Sequence, residues 1–207
     1  GAGNASWELG MPTGAVINMA ATGQNAWVTN IDGVYNINEV SYLVSPCMDF
    51  SGLTVDPNIS FAIWWATEAC CDEGWLEVSI DGGNGWTKVG TSGTGENWYN
   101  DGFNDWWDGD SGGWVEAENV LDGTAGEADV RLRFVFSSDF SVNDDGFGID
   151  DFSIKPPLPV DMELVAVTGP GDDCGLACET VTLDFENVGT DPQSNIQLAY
   201  SVNGLPP

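Results

Sequence analysis

Apolar residues alternate with polar or small residues at a period of two along most of this chain, and no window shows a sustained helical period. The alternation is clearest in residues 59–65, 76–80 and 130–136, and clusters of Gly, Asn, Asp and Pro separate such segments. Successive side chains of a strand point to opposite faces, so this pattern predicts strands with one buried face. The sequence therefore predicts an all-β fold, and the number of strands favours a two-sheet sandwich. Further strands are predicted at residues 14–20, 26–30, 41–44, 86–89, 114–120, 147–154, 162–167, 181–185 and 196–202.

A proline-rich segment, residues 155–159, divides the chain. Proline donates no ladder hydrogen bond and favours an extended path, so the segment is typical of a linker. We predict a β-sandwich over residues 1–155, a linker over 156–159 and a second module over 160–207. Three strands in this second module would bury little surface, so we expect it to be the truncated first half of a domain in a longer polypeptide.

Acidic residues dominate the charge of the chain, with 33 Asp and Glu against 4 Lys and Arg and a formal net charge of −29. This excess disfavours nucleic acid and anionic membranes as partners. No histidine occurs, which excludes the common triads and HExxH zinc chemistry. A carboxylate-pair glycosidase needs no histidine, but the many acids single out no pair. We therefore expect no enzyme activity, and no apolar run approaches the roughly 20 residues that span a bilayer.

The five cysteines do not form a zinc-binding pattern of CxxC pairs. Cys174 and Cys178 could close a small loop as a disulfide, which would indicate an oxidising compartment. The adjacent Cys70 and Cys71 could pair with each other, or one of them could reach Cys47. The sequence does not choose between these pairings.

An acidic loop leads directly into an alternating strand at residues 144–154. Clustered carboxylates repel one another, and Ca²⁺ with oxygen ligands is the usual extracellular counter-charge, so we predict a structural calcium site. The alternative is a solvated acidic turn. Alternation would send Asp150 and Asp151 to opposite faces of their strand, so only one of them could join the site. The predicted ligands are Glu8, Glu39, Asp144, Asp145, Asp150 and Asp151.

A long loop, residues 96–114, holds six aromatic side chains among acidic ones. An aromatic ring can stack on the C–H face of a sugar while carboxylates and amides accept its hydroxyl groups, so this loop is a candidate glycan site. The alternative is that the rings fold inward and hold the loop in shape. The candidate platform residues are Trp98, Tyr99, Trp106, Trp107 and Trp114.

Residues 79–86 fit the pattern S-x-D-x-G-x-x-W and resemble an Asp-box hairpin. Sialidase-like enzymes carry several such boxes, whereas this chain has one between two predicted strands. We therefore expect a glycine-rich turn that is capped by Asp81 and packed by Trp86, with no catalytic role for Asp81.

Several segments resemble the MAM domain family in their order and spacing, over about residues 1–156. They are residues 41–50, 59–65, 74–79, 130–134 and 148–154. The resemblance implies a jelly-roll, concanavalin-like β-sandwich. Because the family's usual cysteine pairs are missing, the chain is more similar to MAM-like modules of bacterial extracellular proteins. Residues 182–189 and 196–203 resemble the bacterial cell-adhesion-related CARDB family, which implies a partial immunoglobulin-like sandwich.

These resemblances imply a non-catalytic adhesion, binding or spacer region of a large secreted or cell-surface bacterial protein, some of which use type IX secretion. The expected partners are a glycan, a cell-surface or matrix protein, and further domains of the same polypeptide. Two alternatives stay open. The chain could be an accessory domain of a secreted peptidase or glycosidase, or a subunit of an extracellular filament or complex.

Overall fold

The computed structural model describes residues 4–158, 160–169 and 180–198. Over these ranges the chain is all-β with antiparallel sheets, which confirms the predicted fold class. The chain divides into two compact units, Gly1–Pro156 and Pro157–Pro207, and this division falls inside the segment predicted as a linker. Among the described residues, none forms a helix with the length and apolarity that a bilayer crossing requires.

The first unit is a sandwich of two antiparallel sheets. Its strands are β1 (Trp7–Gly10), β2 (Ala26–Thr29), β3 (Val40–Val44), β4 (Asn58–Ala66), β5 (Glu73–Ser79), β6 (Thr87–Lys88), β7 (Val115–Val120), β8 (Arg131–Ser137) and β9 (Gly146–Lys155). One sheet has the order β1-β2-β9-β4-β7, and the other has the order β3-β8-β5-β6. Strands β4 and β8 lie inside their sheets, which explains why the alternation is clearest there.

The core lies between the two sheets and is built by the period-two pattern. In β4, Ile59, Phe61 and Ile63 are fully buried, and in β8 Leu132 and Phe136 face them from the second sheet. Burying each of these side chains contributes about 1.5–3 kcal/mol relative to leaving it exposed. Arg131, Arg133 and Val135 alternate with the core residues of β8 and therefore point to the outer side of the four-stranded sheet.

Two parts of the first sheet differ from the sequence prediction. Strand β1 was not predicted, because four residues are too few to show a period. Residues 14–20 were predicted as a strand and this was wrong: they form bends with no ladder partner. The backbone amides of Val16 and Ile17 donate instead to the carboxylate of Asp145, the residue before β9, as described below.

The second unit is small over its described residues. Strands β10 (Met162–Thr168) and β11 (Thr182–Asn187) pair antiparallel, with a bulge between Leu164 and Ala166. Every residue of β11 is exposed. Residues 196–198, the described part of the last predicted strand, are not in a strand.

Cys70 and Cys71 form a disulfide with each other, which resolves one of the pairings left open by the sequence. Cys47 is an exposed thiol that lies against Asp129. The predicted pair Cys174 and Cys178 lies outside the described residues.

Candidate functional site

The acidic residues of β9 and the loop before it bind backbone amides of the segment that follows β1. Asp145 is buried, and its Oδ2 accepts hydrogen bonds from the amides of Val16 and Ile17 at 2.6 and 2.7 Å. Oδ2 of Asp150 accepts from the amides of Ala21 and Thr22 at 3.0 and 3.2 Å. Charged acceptors make short, strong bonds with N–H donors, so these carboxylates hold an irregular segment against the sheet.

Asp150 and Asp151 do not face opposite sides in the simple way that alternation predicted. Ser60 of β4 pairs with Ser153 of β9 and Ala62 pairs with Asp150, so β9 has one extra residue here, which is a β-bulge. Asp151 lies in this bulge and has a positive φ of 47°. The bulge lets both acids contact one residue: Asp150 accepts from the Thr22 amide, and Asp151 accepts from the Thr22 hydroxyl at 2.6 Å. A bulge of this kind re-aims a side chain without changing the sequence pattern.

The other three predicted ligands are hydrogen bonded elsewhere. Glu39 is buried and accepts from the amide and hydroxyl of Ser6 at 2.8 Å and from the hydroxyl of Ser41. Glu8 accepts from the Ile31 amide at 3.0 Å, and Asp144 accepts from the amide of Asp145 at 2.8 Å. Each of these carboxylates therefore has a donor within the protein.

The structure does not gather the six predicted acids into one cation site. The group of potential ligands that does converge in the described part of the chain is Glu68, Cys71 and Asp139, within 4.8 Å of one another. The Cys71 sulfur belongs to a disulfide and offers no thiolate. Burial and the nearby carboxylates of Asp139 and Asp72 raise the pKa of Glu68, as expected for crowded acids. The positions of the six predicted acids therefore do not fit a single calcium site.

The aromatic loop at residues 96–114 sends three of its five candidate rings into the core. Trp98, Tyr99 and Trp107 are 2%, 5% and 1% exposed, so they cannot stack on a sugar at the surface. The Trp98 indole and the Tyr99 hydroxyl both donate to the carbonyl of Val89 at 2.9 Å. The prediction that these three residues belong to a surface platform was therefore wrong. Their burial and their hydrogen bonds give the loop its shape.

The remaining two candidate rings are half-buried. Trp114 donates to the Met19 carbonyl at 3.0 Å and packs edge-on against Trp64. Trp106 lies 5.7 Å from the ammonium of Lys88, beside the four-stranded sheet. The loop therefore brings Trp106 close to Lys88, a contact that the sequence did not predict.

The outer side of the four-stranded sheet gathers aromatic rings and cations. We call this set the cation–aromatic face. It consists of Tyr42 on β3, Trp75 and Glu77 on β5, Trp86 and Lys88 in the β5–β6 hairpin, and Arg131 and Arg133 on β8. Three of the four basic residues of the chain lie here. In a chain with a net charge of −29, this is a marked concentration of positive charge.

Arg133 organises the centre of the cation–aromatic face. Its guanidinium lies 4.3 Å from the ring centroid of Tyr42 and 4.2 Å from that of Trp86. Its Nε donates to Glu77 Oε2 at 2.6 Å, and the Trp75 indole donates to Glu77 Oε1 at 2.8 Å. Guanidinium stacking and a charged hydrogen bond together fix the orientation of three rings.

Lys88 extends the same network towards the aromatic loop. Its ammonium donates to the carbonyls of Asn104 and Asp105 at 2.9 Å and lies 5.0 Å from the Trp75 ring. Burial lowers the pKa of Lys88 below its ordinary value, although nearby carboxylates, Asp105 first, oppose that shift. The cation therefore ties the loop to the sheet and covers one indole.

The hairpin that carries Trp86 has the predicted Asp-box geometry. Asp81 Oδ1 accepts from the amides of Asn84 and Gly85 at 2.9 and 2.8 Å, and these bonds hold its pKa below the ordinary range, together with that from the Ser79 hydroxyl. The Trp86 indole donates to the Gly83 carbonyl at 3.1 Å. The expected structural role of Asp81 is confirmed, and the turn also aims Trp86 at Arg133.

One further acid beside this face has a strongly perturbed pKa. Burial raises the pKa of Glu73 to about 7, and the carboxylates of Asp72 and Asp108 add to the shift. A hydrogen bond with Ser137 and the positive charge of Lys88 oppose it. Glu73 therefore takes up a proton near neutral pH.

Sequence reasoning missed Tyr42, Trp75, Glu77 and Arg133 as members of a common surface. One signal was present, since Arg131 and Arg133 are two residues apart in a chain with only four basic residues. Strand alternation places such a pair on one face. The signal for the rings was weaker, because they come from three separate strands or turns.

No family model matches this chain, and no curated protein shows significant similarity to it. Among solved structures, it is similar to the K1 cleaved adhesin domain of Lys-gingipain from Porphyromonas gingivalis W83. The two share 15% identity over 74% of this chain and 85% of that chain, with a TM-score of 0.42. A likeness at this level carries no argument about function, and the resemblance to the MAM and CARDB families stays a prediction.

Proposed function

We propose that the first unit is a non-catalytic binding module of an extracellular protein and recognises glycans through the cation–aromatic face. The observation that carries this proposal is the concentration of three basic residues and three ordered rings on one face of an acidic domain. A sugar ring needs an apolar plate for its C–H face and both donors and acceptors for its hydroxyl groups. The cation–aromatic face offers all three kinds of group.

One feature, the presence of Glu and Lys among the rings, supports a glycan over a protein partner at this face. The centres of protein–protein interfaces are depleted in Lys, Glu and Asp. Here Glu77 and Lys88 lie among the rings and hydrogen bond within the network. Such polar groups suit a ligand that carries many hydroxyl groups.

An extracellular location is part of the same proposal. The disulfide between Cys70 and Cys71 supports an oxidising compartment, since such bonds are rare in the cytosol. The binding role would serve an adhesin, a spacer with an added contact, or an accessory domain of a secreted hydrolase.

A glycan array tests the proposed function. The labelled 207-residue chain should bind a subset of printed glycans, and Tyr42→Ala and Trp75→Ala should each reduce the signal while the circular dichroism spectrum stays unchanged. Phe140→Ala is the matched control, because it removes a ring that is 74% exposed in the loop after β8. Equal signals from all four proteins, or no signal from any, would count against the proposal.

Stabilisation by calcium stays a proposal that rests on the density of acids. If a cation offsets their repulsion, EDTA should lower the melting temperature by several degrees, because a ligand that binds only the folded state stabilises it. The structure supplies another counter-charge, the backbone amides that donate to Asp145 and Asp150. A melting temperature indifferent to EDTA and to added CaCl₂ would remove calcium from the account.

A further inference from the structure

A groove of about 540 Å³ runs along the β6 side of the cation–aromatic face. One wall comes from the β5–β6 hairpin and includes Asp81, Trp86 and Lys88, and the other comes from Asp122 and Gly123 after β7. This volume lies within the range of about 300–1,000 Å³ that is typical of ligand sites. Because Trp86 and Lys88 belong to both the groove and the face, the two surfaces are continuous.

The charges along this path are already paired within the protein. Arg133 binds Glu77 at 2.6 Å, Arg131 lies 3.5 Å from Asp129, and the Lys88 ammonium donates to two carbonyls. The groove then adds carboxylates, since Asp81 and Asp122 are both exposed on its walls. A polyanion would therefore meet cations that are already paired, and additional carboxylates, on a domain that repels it overall.

Trp86 is held rigid before any ligand arrives. Its indole donates to the Gly83 carbonyl, and the Arg133 guanidinium lies over its ring at 4.2 Å. Gly83 has a φ of +96°, a backbone conformation that favours glycine, so the turn that accepts this hydrogen bond is specified by the sequence. A ring that is already ordered loses little freedom on binding, which favours its use as a stacking plate.

We propose that this groove binds an uncharged polysaccharide, with Trp86 as the stacking plate and the acids of the groove walls as acceptors for sugar hydroxyl groups. This inference rests on the proposed glycan-binding function and deepens it, because it names the ligand class and the path. Asp122 on one wall and Asp81 on the other accept from hydroxyl groups, while the face beyond Trp86 supplies donors.

Affinity gel electrophoresis of the 207-residue chain tests this inference with two kinds of soluble probe. The uncharged probes are hydroxyethyl cellulose, xylan, glucomannan and dextran, and the acidic probe is polygalacturonate. We expect retardation by at least one uncharged probe and none by polygalacturonate. Trp86→Ala should weaken binding about tenfold, which corresponds to the loss of one stacking contact.

Two further variants keep the test independent of folding at Trp86. Asp122→Tyr places a large side chain in the groove from an exposed turn position and should also weaken retardation, whereas Phe140→Ala should leave it unchanged. If polygalacturonate alone retards the chain and Trp86→Ala loses this retardation, the proposal of an uncharged ligand would be wrong, while the glycan-binding function would stand. Retardation by an uncharged probe that neither variant reduces would overturn the groove as its site. Failure with every probe would overturn the inference, and a silent glycan array would then overturn the proposed function as well.

Discussion

Removing the carboxylate of Asp145 should destabilise the first unit strongly. This side chain is buried, and its Oδ2 accepts hydrogen bonds from the amides of Val16 and Ile17 at 2.6 and 2.7 Å. Gly14 lies so close that a Cβ there would approach Oδ2 to 2.3 Å. The carboxylate is therefore enclosed by the segment that it holds, and water could not easily replace it in an Asp145→Ala variant.

The expected loss follows from these two bonds. A hydrogen bond to a charged group contributes about 1.5–3 kcal/mol net, and the two amides, of which that of Ile17 is buried, would be left without this acceptor. Asp145→Ala should therefore lower the free energy of unfolding by about 3–5 kcal/mol. For a unit of this size, 1 kcal/mol shifts the melting temperature by about 2–4 °C, so the expected fall is about 10 °C. Asp145→Asn keeps one oxygen acceptor and should lose about half as much.

Urea denaturation followed by circular dichroism measures this loss. Asp144→Ala is the matched control, because Asp144 is the neighbouring acid and its carboxylate accepts one local bond, from the Asp145 amide. Its expected cost is about 1 kcal/mol or less. If Asp145→Ala and Asp144→Ala unfolded at the same urea concentration, the amide bonds to Asp145 would not be a principal source of stability, and the reasoning would be refuted.

Two acids should give opposite pH responses. Glu73 has a folded pKa of about 7 because of burial, so stability falls as pH rises from its ordinary pKa of 4.5 towards 7, and Glu73→Gln should raise the melting temperature more at pH 8 than at pH 5. A gain of equal size at both pH values would contradict this. Burial raises the pKa of Asp56, but amide bonds from Gly123, Thr124 and Ala125 outweigh it and lower that pKa overall. Stability from Asp56 is therefore present above its ordinary pKa and lost as pH falls through the folded value, so Asp56→Asn should melt below the parent at pH 6, with a difference that closes in strong acid.

The strands with buried faces could be predicted from the sequence, whereas the partners of the acids could not. Strand β4 alternates over nine residues inside a sheet, so both its position and its inward face follow from the pattern. The bonds from Val16 and Ile17 to Asp145 span about 130 positions and use backbone amides. Every residue except proline has such an amide, so the side chains carry no signal for the pairing.

The aromatic residues show the same limit of prediction from the sequence. The loop at residues 96–114 attracts attention because its rings are close in sequence, yet Trp98 and Trp107 are needed in the core. The rings of the cation–aromatic face come from Tyr42, Trp75 and Trp86, and they meet through strand pairing. Local density of aromatic residues therefore indicates packing here, while the exposed surface depends on cross-strand neighbours.

Backbone amides, more than Lys and Arg side chains, act as hydrogen-bond partners of the acids in this domain, and this indicates what its few cations do. With 33 acidic and 4 basic residues, ion pairs can neutralise only a small part of the negative charge. Asp56, Asp145 and Asp150 instead accept from two or three backbone amides each, and these bonds hold irregular segments against the sheets. If neutralising carboxylates were the main use of Lys and Arg, these residues would be expected near the most buried acids, such as Asp145. Three of the four basic residues lie on the outer side of one sheet instead, where Arg133 and Lys88 orient rings. This placement favours recognition at the cation–aromatic face over charge balance as the reason for their position.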